Sequence, residues 1–111
     1  MATDDAGTTP IPVIRPVGDL DFATIEPFAE ELQQLSTRHR AVIVDLADVT
    51  FGDSTFLNTI ISAEKLTELR LVNIPDVIDR VFTITAMYDI LNLYPALDAA
   101  QKAPLRSDGT P

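Results

Sequence analysis

The sequence predicts an α/β domain, a mixed and mostly parallel sheet of about four strands with about four covering helices. Three observations lead there. Strand-like and helix-like stretches alternate along the whole chain. The run Ala41–Leu46 (AVIVDL) is a short apolar stretch, broken only by Asp45 and preceded by polar residues, as expected of a strand covered on both faces. The chain has 111 residues, 46% of them hydrophobic and 23% charged, which suits one domain with a real core.

In chain order, Ile11–Val17 is rich in Val and Ile and reads as a strand. Pro12 and Pro16 cannot donate to a ladder, so it should lie at an edge or pair only in part. Gly18-Asp19-Leu20-Asp21 reads as a turn. Thr24 is placed to cap a helix with Pro27 in its first turn and Ile25, Phe28, Leu32 and Leu35 on its apolar face. After the strand Ala41–Leu46, a loop from Ala47 to Gly52 leads to Asp53, a good N-cap. Leu57, Ile60, Ile61 and Leu66 then form the stripe of a second helix. Leu69–Ile74 is a third strand. Pro75 and Asp76 open a third helix, with Val77, Ile78, Val81 and Phe82 facing inward. Ile90–Leu93 is a short last strand and Pro95–Lys102 a closing helix. Residues 1–10 and 103–111 are small, polar and turn-forming, and read as flexible tails around a domain spanning 11–102.

The charge narrows the choice of partners. Seventeen acidic against eight basic residues give a formal net charge of −9. Such a surface repels phosphate backbones and anionic membranes and suits a basic protein partner. No apolar run reaches the ~20 residues of a transmembrane helix. There is no cysteine, so thiolate metal sites and disulfides are excluded. With no secretory signal pattern at the start, the expectation is a cytoplasmic protein.

Strand-to-helix loops of a parallel sheet collect at the carboxyl ends of the strands, so the Gly18–Asp21 and Gly52–Thr55 segments should share one face. The stretch Val44-Asp45-Leu46 through Thr50-Phe51-Gly52-Asp53-Ser54-Thr55 resembles the central signature of STAS domains. Gly18-Asp19-Leu20-Asp21 with Ala23, Thr24 and Pro27 resembles their earlier Gly-Glu/Asp-Leu-Asp motif. Leu69–Asn73 and Val77–Phe82 resemble the later strand and helix. The ordered set spans residues 11–102 and is most similar to anti-sigma factor antagonists.

That resemblance implies a binding module and no enzyme or cofactor. The unphosphorylated protein would bind an anti-sigma factor, often itself a serine kinase, which would phosphorylate the serine after the Asp and end the contact; a serine phosphatase would restore it. Here that serine is Ser54, with Thr55 the second choice. Asp19, Asp21, Asp53, Ser54, Thr55 and Phe56 form the expected partner-binding set. Each has a plainer role beside it. Asp53 and Ser54 suit a helix start anywhere, Asp19 and Asp21 suit a turn, and Phe51, Phe56, Phe82, Tyr88 and Tyr94 suit core or rim packing.

The sequence departs from the family pattern where glycines usually follow the serine, with Phe56 and Asn58 in their place, and Ala86 stands where a glycine is common. These departures favour a second function, a STAS scaffold or small-ligand sensor without phosphorylation. A third, a receiver-like acidic pocket of Asp19, Asp21 and Asp53, lacks a strand-end phosphoacceptor Asp and a matching late lysine.

Overall fold

The computed structural model describes residues 10–105. Four strands, β1 (Val13–Ile14), β3 (Ala41–Asp45), β5 (Glu68–Val72) and β6 (Asn92–Tyr94), form a sheet in the order β1-β3-β5-β6. All its pairings are parallel. A second, two-stranded parallel sheet joins β2 (Gly18–Leu20) to β4 (Val49–Gly52). The helices are α1 (Glu26–Arg38), α2 (Ser54–Glu64), α3 (Asp76–Ile84) and α4 (Leu97–Lys102), with a 3₁₀ turn at Met87–Asp89. The predicted α/β class and mostly parallel sheet are thus present.

Alternation along the central strands divides the interior in two. Val42 and Val44 of β3, Leu69 and Leu71 of β5, and Ile14 of β1 join the main core with Phe28, Leu32, Phe56, Ile60, Ile78 and Phe82. The intervening Ile43 and Val72 face the other side, where Ala100 of α4 packs with Ile11, Val13, Tyr94 and Leu97. Arg70 of β5 shares that register and is fully buried. Its guanidinium donates to the carbonyls of Ala100 (2.6 Å), Ala103 (2.8 Å) and Pro104 (2.8 Å), pairs with Glu68 (2.9 Å), and lies 5.3 Å from the Tyr94 ring centre.

The structure corrects several expected elements. The first strand shrinks to Val13–Ile14 between its two prolines. Gly18–Asp21 is largely strand, because Gly18 takes a positive φ of 87° that lets the chain pair with β4. The expected loop Ala47–Gly52 supplies that partner strand from Val49. Thr24 caps no helix: α1 begins one residue later, after Ile25, with Pro27 in its first turn. Leu66 lies beyond α2 and is half exposed, and Val77, expected to face inward, is 37% exposed. Ala103 and Pro104, assigned to a tail from sequence, are held by Arg70. The remainder of the two expected tails, residues 1–9 and 106–111, lies outside the described residues.

At the carboxyl end of β3, Asp45 is buried and holds the chain entering and leaving the sheet. Its carboxylate accepts from the Ala47 N–H (3.0 Å), the Asn73 amide (3.1 Å) and Arg15 (3.0 Å). Burial pushes its pKa up, but the Ala47, Asn73 and Arg15 contacts together outweigh burial and hold it below the ordinary 3.8. A depressed carboxylate contributes stability that is complete above the unfolded value and is lost as pH falls through the folded one. Urea midpoints of the wild type should therefore fall steeply below about pH 4, whereas Asp45→Asn should be less stable at pH 7 and show a flatter acid limb. Parallel acid limbs in the two proteins would refute this role.

Candidate functional site

The segments expected to meet do so at the start of α2. Asp53 is its N-cap: Oδ1 accepts the N–H groups of Thr55 (2.8 Å) and Phe56 (3.3 Å). Its Oδ2 accepts the N–H of Phe22 (3.2 Å), and its own N–H donates to the Leu20 carbonyl (3.3 Å). One aspartate thus ties the helix start to the segment after β2. Ser54, the first residue of α2, is exposed beside that junction.

The turn after β2 is tightly built. Asp21 Oδ1 accepts the N–H groups of Ala23 (3.0 Å) and Thr24 (3.1 Å). The Thr24 hydroxyl accepts from the Asp21 N–H (3.0 Å) and donates to the Asp19 carbonyl (2.7 Å). Asp21 therefore shapes the turn, the plainer of its two roles. Asp19 is exposed on β2, where its carboxylate accepts from the Thr50 hydroxyl (2.6 Å) of the neighbouring strand. Thr55 is half-buried on the side of a groove between α1 and α2.

Phe56 does not belong to the exposed set. Its side chain is fully buried, 6.1 Å from the Phe82 ring and 6.5 Å from Phe28. The ring is spent on core packing and presents no surface for a partner to touch. The surface aromatics are Phe22, 81% exposed, and Phe51, 45% exposed. Phe51 was expected in the core or at its rim, and Phe22 carries no periodic signal because it stands in a turn.

The carboxylates of Asp19, Asp21 and Asp53 are engaged with three different sets of donors. Among the described residues no group of three His, Cys, Asp or Glu side chains is placed to hold a metal ion. No helix of the described residues is long and apolar enough to cross a membrane. The arrangement offers a rigid rim with an exposed hydroxyl in acidic surroundings.

The STAS domain family model matches residues 3–100. The chain belongs to the STAS domain family. Solved structures of the same fold include an anti-sigma factor antagonist from Mycobacterium paratuberculosis, with a TM-score of 0.76 and 22% identity over 96% of this chain and 92% of that one. Another is the anti-sigma factor antagonist SpoIIAA in its unphosphorylated form, with a TM-score of 0.67 and 18% identity over 84% and 88%. No curated protein matches the sequence. At these identities the likeness is one of fold, and this STAS domain places its signature Asp53-Ser54-Thr55 at the exposed start of α2.

Proposed function

We propose that this STAS domain is a cytoplasmic anti-sigma factor antagonist that acts by binding, not catalysis, and is switched at Ser54. Unphosphorylated, it binds an anti-sigma factor that is itself a serine kinase; phosphorylation of Ser54 releases it, and a serine phosphatase resets it. The observation that carries this is the exposure of Ser54 at the capped start of α2, joined through Asp53 to the segment bearing Asp21 and Phe22.

The chemistry of the switch follows from the cap. A bare helix start could soak up a phosphate with its free N–H groups. Here Asp53 has already taken those of Thr55 and Phe56, and the Leu57 N–H goes to the Asp53 carbonyl. A phosphate on Ser54 adds about two negative charges beside that carboxylate. A docked surface would meet a like charge costing several kcal/mol, and about 1.4 kcal/mol is tenfold in affinity.

Calorimetric titration of an anti-sigma factor kinase from the same genome tests this. Wild type and Ser54→Ala should bind alike, and Ser54→Asp at least tenfold more weakly. Incubation with the kinase and ATP should put acid-stable phosphate on Ser54, with Thr55 as the second candidate. Equal binding by all three proteins would refute the switch.

A non-phosphorylated scaffold or ligand sensor is the second function. A groove of about 390 Å³ between α1 and α2, lined by Gln33, Thr55, Asn58, Thr59, Ser62 and Leu66 among others, favours it. Asn58, one of the departures from the family pattern, opens into this groove.

A further inference from the structure

We propose that Phe22 and Phe51 are the apolar anchors of the docking surface around Ser54, and that they seat in a protein partner whose facing surface is rimmed by Lys and Arg. This rests on the antagonist function above and adds which residues carry the affinity and what chemistry the partner presents.

Phe22 contributes almost nothing to the core, with 81% of its surface in water. It is nevertheless held in place. Its N–H is bonded to Asp53, and the Asp21 and Thr24 hydrogen bonds close the turn on both sides of it. With the backbone that carries it already ordered, only the two side-chain torsions of the ring remain to be fixed when a partner covers it, a low ordering cost typical of aromatic interface residues. Phe51, on β4, pairs in register with Asp19, and the next pair, Leu20 with Gly52, leads on one side to Phe22 and on the other to Ser54. Both phenylalanines thus stand on the two segments that meet at Asp53.

The charge around them is mainly acidic. Residues 16–25 and 46–54, the strand and turn segments of this end, hold Asp19, Asp21, Asp48 and Asp53 and no Lys or Arg, and the neighbouring Arg15 is paired with Asp45. Asp19 is exposed beside Phe51 in the strand pairing, and Asp53 and Asp21 flank Ser54 and Phe22 in sequence. A complementary surface is cationic, which speeds encounter and fixes orientation while the aromatics supply the tight contact.

The test titrates the same anti-sigma factor kinase with wild type, Phe22→Ala, Phe51→Ala, Ser54→Asp and Ile84→Ala. Ile84 is 76% exposed at the far end of α3 and serves as an apolar surface control. Phe22→Ala should melt like the wild type and bind at least tenfold more weakly, Phe51→Ala should also weaken binding, and Ile84→Ala should bind normally. Raising salt should weaken wild-type binding. If Ser54→Asp weakens binding but Phe22→Ala matches the wild type, the anchors are refuted and the switch stands. If the wild type binds no anti-sigma factor, the antagonist function falls and the anchors with it. A wild-type homodimer dissolved by Phe22→Ala would assign the patch to a second copy and overturn the proposal.

Discussion

Arg70→Met should lower the stability of the domain by about 3–5 kcal/mol, the usual cost of removing one member of a buried ion pair. The side chain has no exposure, so nothing in water takes over its contacts. Its loss removes the ion pair to Glu68 and strands the carbonyls of Ala100, Ala103 and Pro104, which lie at and just past the C-terminal end of α4. Helix ends leave carbonyls without partners, and here one guanidinium satisfies three at once. A helix of six residues does not persist alone in water, so α4 depends on such ties. The other tie is Gln101, whose amide exchanges two 2.8 Å hydrogen bonds with the backbone of Ile11. Urea unfolding should show the drop in midpoint, and amide exchange should show α4 losing protection before β3. Arg70→Lys should fall between, because an ammonium keeps the charge but lacks the planar fork. A wild-type midpoint in Arg70→Met would mean that these contacts are dispensable.

Much of the architecture was legible because burial imposes a pattern. Ala41–Leu46 read as a central strand because the run is short, rich in β-branched Val and Ile and preceded by polar residues, and Asp53 announced a helix start by its chemistry. The small sheet was not legible. Its strands β2 and β4 are three and four residues long, and neither buries its residues in strict alternation, so no strand period emerges. Thr24 looked like a cap because the sequence shows a hydroxyl before an apolar run; only the fold reveals that this hydroxyl is occupied by Asp21 and Asp19. Arg70 looked like one charge in a strand, and its role depends on carbonyls some thirty residues away. Ala86, which stands where a glycine is common, does take the left-handed conformation, with φ at 60°, that glycine adopts freely. At the site, the Asp53–Ser54 position was carried by the motif. Phe22 was invisible, because exposure of a turn residue is a property of the folded surface.

Phe56→Ala should cost about 3–5 kcal/mol, the range for deleting a buried aromatic ring. The ring lies between Phe28 and Phe82, and Tyr88 meets Phe82 edge-on at 5.6 Å, so the cavity would open in the middle of an aromatic row. The space for the ring comes from across the loop. Gly52, the last residue of β4, faces the ring, and its missing side chain leaves room for it. A Cβ at position 52 would stand 2.6 Å from the Phe56 ring and 3.2 Å from Ile78. Gly52→Ala alone should therefore overpack and destabilise by about 1–3 kcal/mol. In the Phe56→Ala background the same methyl enters vacated space and should be neutral or stabilising. A double-mutant cycle read by urea midpoints measures that coupling, and additive effects would show that the two positions are independent. Phe56→Leu, which keeps most of the volume, should fold and bind an anti-sigma factor as the wild type does. If Phe56→Leu folds with wild-type stability but loses binding, position 56 acts on the partner directly and its burial is not the reason the domain keeps a phenylalanine there.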